Sequence, residues 1–125
     1  MQNHYFGPRS IVKLQGVHPE LILVASRALL YSEVDFGIID GLRDLVTQKQ
    51  LVRKGKSQTL KSKHLKGDAI DVMAYVGGKG TWEWEYYEQI NEAFQQASEE
   101  LNIPIEWGGD WDRFKDGVHF QRVTA

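Results

Sequence analysis

The 125 residues are enough for one ordinary domain with a buried core, and 42% hydrophobic content with four tryptophans argues against disorder. The absence of cysteine excludes disulfides, thiolate metal sites and cysteine nucleophiles, which leaves histidines and carboxylates as ligands for a transition metal. Because the net charge is −2, we expect no nucleic-acid partner. Because no apolar run is long enough to span a bilayer, we expect no stable membrane association. The N-terminus has no apolar segment of the secretory signal type, so we expect a chain made in the cytoplasm.

Helical and strand patterns alternate along the chain. In chain order the sequence predicts a helix from Pro19 to about Tyr31, a strand over 36–39, a helix from about Asp44 to Lys54, a polar loop over 55–67, a strand over 69–74, an amphipathic helix ended by Pro104, and strands over 105–107 and 118–123. Glycine-rich breaks late in the chain favour an antiparallel sheet. The predicted fold is therefore α+β, in one domain over residues 1–125.

Charges are segregated along the sequence. Residues 53–66 carry six lysines and arginines without an acid, whereas residues 83–100 carry six glutamates without a base. Both stretches are compatible with solvated surfaces. Because the basic stretch contains His64, it could also attract an anionic polymer toward that residue.

His64 is the first candidate ligand, and it is followed seven residues later by Asp71. Asp71 lies within the apolar strand over 69–74, where a carboxylate is costly unless it is paired or bound to a metal. Backbone N–H groups or Arg43 could equally satisfy it. His4, in the terminal segment, and His18, at a helix start, are weaker candidates.

His119 is the second candidate histidine, and it opens an apolar strand. Together with His64 and Asp71 it gives two histidines and one carboxylate, which is the composition of a catalytic zinc site with a position left for water. Zinc in such a site lowers the pKa of bound water to about 7 and polarises a carbonyl group.

Two further polar residues have more than one interpretation. Asp116 lies three residues before His119 and could exchange protons with a substrate, although an Asp-Gly pair is also a common turn. Arg43 lies between a strand and a helix and could orient a substrate carboxylate, or it could be an ordinary surface arginine. Three aromatic side chains are candidates for a cleft wall or for the core: Trp107, Trp111 and Phe114.

These segments together resemble the zinc L-alanyl-D-glutamate peptidase family of phage endolysins, over about residues 10–122. The wider group is similar to the D-Ala-D-Ala carboxypeptidases and dipeptidases, and it shares its fold with the Hedgehog signalling domain. The shared pattern consists of two spaced motifs, Ser62-x-His64-x-x-Gly67-x-Ala69-x-Asp71 and Asp116-x-x-His119. One departure is that Asp44 follows Arg43 where the family usually has a small hydroxyl residue, and this carboxylate could pair with the arginine.

The resemblance implies residue roles, carried over position by position: zinc ligands His64, Asp71 and His119, an acid/base at Asp116, and substrate or oxyanion contacts from Arg43 and Ser62. It implies hydrolysis of the peptidoglycan stem peptide between L-alanine and D-glutamate. Stem peptides are rich in carboxylates, which gives the basic stretch over 53–66 a role in binding them.

The resemblance also implies a route and a setting. We expect a monomer without a separate wall-binding domain, typical of phages of Gram-negative hosts, that reaches the periplasmic wall after a holin opens the inner membrane. Three alternatives remain open on the sequence: a D,D-carboxypeptidase that removes terminal D-alanine, a non-haem iron oxygenase, and a zinc-stabilised binding module without activity.

Overall fold

The computed structural model of the chain describes residues 5–57, 59 and 61–124; His4 and Gln58 lie outside them. Within the described residues, four α-helices and five strands form an α+β fold, as predicted. In chain order these are α1 (Pro8–Lys13), α2 (Pro19–Tyr31), β1 (Asp35–Asp40), α3 (Leu45–Arg53), β2 (Ala69–Val76), β3 (Lys79–Thr81), α4 (Trp84–Leu101), β4 (Ile105–Trp107) and β5 (His119–Arg122), with 3-10 turns at Lys63–Lys66 and Gly108–Asp110.

The strands form one antiparallel sheet in the order β1-β2-β5-β4. Strand β1 pairs along one edge of β2, and the opposite edge of β2 is shared by β5 and β3. The register places Asp71 of β2 directly opposite His119 of β5. This pairing brings together two residues that are 48 positions apart in the sequence.

Helices α2 and α4 pack against each other and supply much of the core. The apolar positions that predict them are fully or almost fully buried: Leu21, Val24, Ala25, Ala28, Ile90, Ala93, Phe94 and Ala97. Phe94 of α4 stacks on Phe120 of β5, with ring centroids 3.9 Å apart. Because the residue after His119 is thus fixed in the core, the last strand is anchored next to the candidate ligand.

The predicted helix starts have caps in the structure. His18 Nδ1 accepts a hydrogen bond from the backbone N–H of Glu20 at 3.1 Å, so this histidine, a weaker candidate ligand in the sequence, has a structural role as a helix cap. Asp44 Oδ1 accepts from the N–H of Thr47 at 2.7 Å. The expectation that Asp44 could pair with Arg43 is therefore wrong: its carboxylate caps α3, a task that a small hydroxyl residue also performs.

Helix α1 and strand β3 are absent from the sequence-based assignment. Helix α1 has only six residues, too few for a periodic pattern, and it is fixed by tertiary contact: Ser10 Oγ accepts from the N–H of Ile38 in β1 at 2.9 Å. Strand β3 has three residues and pairs with β2 across the turn at Gly77 and Gly78, where only a hairpin-like break is predicted.

Among the described residues, none of the helices combines the length and the apolar character that crossing a bilayer requires. That the chain is a single catalytic domain without a separate wall-binding domain stays a prediction.

Candidate metal centre

The structure brings His64, Asp71 and His119 together, as the sequence predicts. Asp71 Oδ1 lies 3.3 Å from Nε2 of His64 and 3.2 Å from Nδ1 of His119. One ligand atom from each residue can be chosen so that all three lie within 4.8 Å of one another. Both histidines are buried, whereas 17% of the Asp71 side chain is exposed, so the cluster opens to solvent on the carboxylate side.

The outward nitrogen of each imidazole has an acceptor. Nδ1 of His64 lies 2.8 Å from the carbonyl oxygen of Gly41, and Nε2 of His119 lies 2.8 Å from Oε1 of Gln121. Since these oxygens accept only from N–H groups, the protons are placed on the outward nitrogens. The lone pairs of the other two nitrogens therefore face Asp71, which is the outer-sphere arrangement of metal-bound histidines.

Only glycine fits at position 41. A Cβ at Gly41 would lie 2.1 Å from the backbone carbonyl oxygen of Lys13 and 2.9 Å from the side chain of Val17. The turn after β1 thus packs directly on the end of α1. This contact holds the carbonyl group that orients His64.

Two lone pairs and a carboxylate that converge on one point repel each other unless a cation lies between them. In the metal-free protein that cation is a proton. Burial alone would raise the pKa of Asp71, but its contacts with His119 and His64 outweigh burial and hold the pKa well below its usual range. Burial would lower the pKa of His119, yet the hydrogen bond and charge of Asp71 raise it. The same donors suit a divalent metal ion, so the residues fit the group that the sequence predicts.

Asp116 lies on a turn that is fixed against the end of β4. Its N–H donates to the carbonyl oxygen of Gly108 at 3.0 Å, and the indole N–H of Trp107 donates to the carbonyl oxygen of Gly117 at 2.8 Å. A Cβ at Gly108 would lie 2.4 Å from the carbonyl oxygen of Asp116, so glycine permits this close approach. Burial and the negative charge of Asp71 raise the pKa of the Asp116 carboxyl group above its ordinary value. A raised pKa suits a group that accepts and then returns a proton.

Arg43 is partly buried and held from two sides. Its Nε and Nη2 donate to Oδ2 of Asp40, the former at 3.1 Å, and its Nη1 donates to Oε1 of Gln48 at 2.7 Å. Nη2 also lies 3.7 Å from Oδ2 of Asp71. Its 10% exposed side chain rules out the ordinary surface arginine considered above.

Gln48 is fully buried on α3 and uses both ends of its amide. While Oε1 accepts from Arg43, Nε2 donates to Oγ of Ser57 at 2.8 Å and to the carbonyl oxygen of Thr59 at 2.5 Å. It therefore connects Arg43 to the loop that precedes His64. Ser62, at the end of this loop, caps the 3-10 turn by accepting from the N–H of His64 at 3.2 Å.

A cleft of about 460 Å³ opens over the cluster. Its walls combine the predicted site residues with described residues of the loop before His64 and part of β5: Ile39, Asp40, Arg43, Leu51, Lys56, Ser57, Thr59, Lys61, Ser62, Lys63, His64, Asp71, Trp111, Asp116, His119 and Gln121. Of the three aromatic candidates, Trp111 lies in the wall and packs on His119 with ring centroids 5.1 Å apart. Trp107 is buried, and Phe114 is 67% exposed outside the cleft.

Sequence reasoning did not identify the residues that orient the site. Gly41 and Gln48 act through contacts with segments that are distant in the sequence, whereas Asp40 and Gln121 contact Arg43 and His119 within three residues. Gln121 has a local signal, since it lies two residues after His119 and therefore on the same face of β5. Asp40 has one as well, because it lies three residues before Arg43.

Comparison with known proteins places the whole site within one family. Residues 2–122 match the family model described as phage L-alanyl-D-glutamate peptidase. The L-alanyl-D-glutamate peptidase of Escherichia phage T5 is 41% identical over 115 residues, which cover 89% of this chain and 84% of the phage protein. That of Listeria phage A118 is 31% identical over 121 residues, covering 94% of this chain and 42% of the phage protein.

Among solved structures, the chain resembles the L-Ala D-Glu endopeptidase ChiX of Serratia marcescens. The TM-score is 0.90 at 49% sequence identity, and the match covers 95% of this chain and 90% of that chain. The likeness therefore extends over nearly the whole of this chain.

Proposed function

The chain belongs to the phage L-alanyl-D-glutamate peptidase family, and on that premise we propose that it hydrolyses the peptidoglycan stem peptide between L-alanine and D-glutamate. One observation carries the proposal: a His-Asp-His cluster lies open to a cleft in a chain that matches the family over residues 2–122. The alternatives of a D,D-carboxypeptidase and of a binding module have no specific observation in their favour.

In this proposal His64, Asp71 and His119 hold Zn²⁺ through Nε2, a carboxylate oxygen and Nδ1, respectively. Bound zinc would polarise the scissile carbonyl group and lower the pKa of the water that attacks it. Gly41 and Gln121 keep the two imidazole rings in the tautomers that leave these nitrogens free to bind.

Asp116 acts as the acid/base. Its carboxylate accepts a proton from the attacking water as the new C–O bond forms, and it donates that proton to the nitrogen of D-glutamate as the C–N bond breaks. Support comes from its place in the cleft wall and from its raised pKa, which favours the return of the proton.

Arg43 and Ser62 contact the substrate or the oxyanion that develops on the scissile carbonyl group. The guanidinium group of Arg43 is already oriented by Asp40 and Gln48, so little side-chain entropy is lost when it donates to a substrate oxygen. The Ser62 oxygen accepts from the N–H of His64, which leaves its own hydrogen able to point into the cleft.

The setting we propose is the one that the family resemblance implies. The protein would act as a monomeric endolysin on the periplasmic wall of a Gram-negative host, after a holin-type opening of the inner membrane. Its partner is the stem peptide; we propose no nucleic-acid partner and no stable membrane association.

The test is digestion of purified Gram-negative peptidoglycan by the zinc-loaded protein, with a chelator-treated sample as control and mass spectrometry of the released fragments. The proposal predicts chelator-sensitive release of peptides that begin at D-glutamate. Loss of terminal D-alanine alone would instead identify a D,D-carboxypeptidase, and absence of any cleavage would identify a binding module. Metal analysis of the active protein distinguishes zinc from iron.

A further inference from the structure

Four cationic side chains line the cleft, and they differ in whether the protein already uses their charge. Arg43 is paired with Asp40 and Gln48. Nζ of Lys63 donates to the carbonyl oxygen of Arg122 at 2.6 Å and to Oγ1 of Thr124 at 3.3 Å. Both therefore have partners within the fold.

Lys56 and Lys61 are different. Both are exposed, both lie in the cleft wall, and neither ammonium group has a hydrogen-bond or ion-pair partner among the residues that the structure describes. Three aspartates line the same cleft. Asp40 pairs with Arg43 and Asp71 faces the two histidines, whereas Asp116 is the proposed acid/base. Apart from Asp116, the charge that remains available to a ligand at this wall is positive.

The backbone that carries these lysines is fixed at several points. The N–H of Lys56 donates to the carbonyl oxygen of Leu51 at 2.8 Å, and that of Lys61 donates to Oγ1 of Thr59 at 2.9 Å. Between them, the amide of buried Gln48 binds Ser57 and Thr59. The lysines thus extend from backbone that is anchored to α3, which reduces the entropy lost when they bind a ligand.

Lys56 also borders a second depression of about 300 Å³, which it shares with Ser57, Phe114, Lys115 and Asp116. Lys56, Ser57 and Asp116 line both cavities, so the two are contiguous at the proposed acid/base. A peptide that extends from the metal cluster past Asp116 would meet Lys56.

We propose that Lys56 and Lys61 form a binding subsite for carboxylates of the stem peptide. The inference rests on the proposed function, because it takes the stem peptide as the ligand of this cleft. The shared chemistry is a carboxylate, and two residues can supply it: D-glutamate itself, or the diamino acid in the third position. Since the lysines are exposed, each contributes modestly to binding and leaves the chemical step unchanged.

The experiment compares the double variant Lys56→Gln/Lys61→Gln with wild type on soluble stem peptides. Three substrates are needed: one with free carboxylates, one amidated at D-glutamate, and one with lysine in place of a diaminopimelic residue in the third position. Lys54→Gln is the matched control, because Lys54 is exposed in the same basic stretch and does not line the cleft.

For the substrate with free carboxylates we expect the double variant to raise KM by roughly five- to tenfold with little change in kcat, since exposed ion pairs contribute up to about fivefold each. Wild type should bind one of the two neutralised substrates less tightly than it binds the substrate with free carboxylates. The double variant should bind that neutralised substrate and the substrate with free carboxylates equally well. The neutralised substrate that wild type binds less tightly identifies the carboxylate that the two lysines bind.

Two outcomes would overturn the subsite: a double variant no different from Lys54→Gln, or a wild-type enzyme equally active on all three substrates. Both leave the proposed function intact, because L-Ala–D-Glu cleavage is still observed. Failure of wild type to cleave any of the peptides, when it also fails on whole peptidoglycan, would instead refute the proposed function.

Discussion

Oε1 of Gln121 lies 2.8 Å from Nε2 of His119 and determines which nitrogen of that ring faces Asp71. The amide orientation is itself fixed, because Nε2 of Gln121 donates to Oε2 of Glu106 at 2.6 Å. A chain of hydrogen bonds therefore runs from the surface carboxylate of β4 through β5 to the ligand cluster. Replacement of Gln121, the middle residue of this chain, should leave the imidazole ring of His119 free to reorient.

We expect Gln121→Ala to weaken zinc binding by about 10- to 100-fold, the range found when outer partners of metal ligands are lost. Affinity is measured by competition with a chromogenic chelator. Gln96→Ala, at an exposed position of α4, is the control and should bind zinc as wild type does. Unchanged affinity in Gln121→Ala would mean that the core contacts of β5 alone orient His119.

Asp116→Asn should retain the fold and the bound metal but lose turnover. Asparagine keeps the size of the side chain while removing its ability to accept a proton, and general acid/base groups contribute about 10²- to 10⁴-fold to rate. Zinc content by elemental analysis and the rate of peptidoglycan digestion are measured on the same sample. The control is Asp112→Asn, since Asp112 is exposed nearby. Near-wild-type turnover by Asp116→Asn would remove Asp116 from its proposed role.

As pH rises through the folded pKa of His119, the metal-free protein should lose stability while its affinity for zinc increases. In the metal-free protein the raised pKa of His119 gives a stabilisation that is complete below its unfolded value of about 6.5 and is lost as pH rises through the folded value. The lowered pKa of Asp71 gives a stabilisation present above about pH 4 and lost as pH falls through its depressed value. This pair therefore favours the metal-free fold most between about pH 4 and 6.5.

Zinc competes with the proton for Nδ1 of His119, so its affinity rises as pH increases past the raised pKa of that ring. We expect the increase in melting temperature on zinc addition to be larger at pH 8 than at pH 6. Differential scanning calorimetry with and without zinc measures it, and His119→Gln should abolish the difference. A zinc-induced shift independent of pH would contradict the role of His119 as a ligand.

Much of the fold could be predicted because its signals are local. The apolar faces of α2 and α4 and the runs that form β2 and β4 reflect burial that each segment shows in its own sequence. Helix α1 was not predicted because its six residues depend on a contact between Ser10 and β1, and short segments carry too few positions to show a period.

Two of the three ligands were predictable from their strands, because Asp71 lies within one apolar strand and His119 opens another, where polar side chains are costly unless they have partners. The orienting partners were not, because Gly41 and Gln48 act through contacts between segments that only the fold brings together. For Asp44, proximity in the sequence suggested a pair with Arg43 that the fold does not form. Its carboxylate instead accepts a hydrogen bond from the backbone N–H of Thr47 at the start of α3.

Gln48 offers a test of how the cleft wall is held. Gln48→Met keeps the length of the side chain but leaves Nη1 of Arg43 and the carbonyl oxygen of Thr59 without the amide. Loss of partners for such groups costs about 1–3 kcal/mol, so we expect the free energy of unfolding to fall by that amount. Gln50→Met, exposed on the same helix, is the control for helix propensity and should change stability little.

The same variant should change the loop more than the rest of the molecule. Because Gln48 anchors Ser57 and Thr59, its replacement should speed tryptic cleavage after Lys56 and Lys61 under native conditions, relative to Gln50→Met. Cleavage sites are identified by mass spectrometry over a time course. If Gln48→Met lost stability without faster cleavage at these two lysines, then Gln48 would support the core of the domain rather than the wall of the cleft.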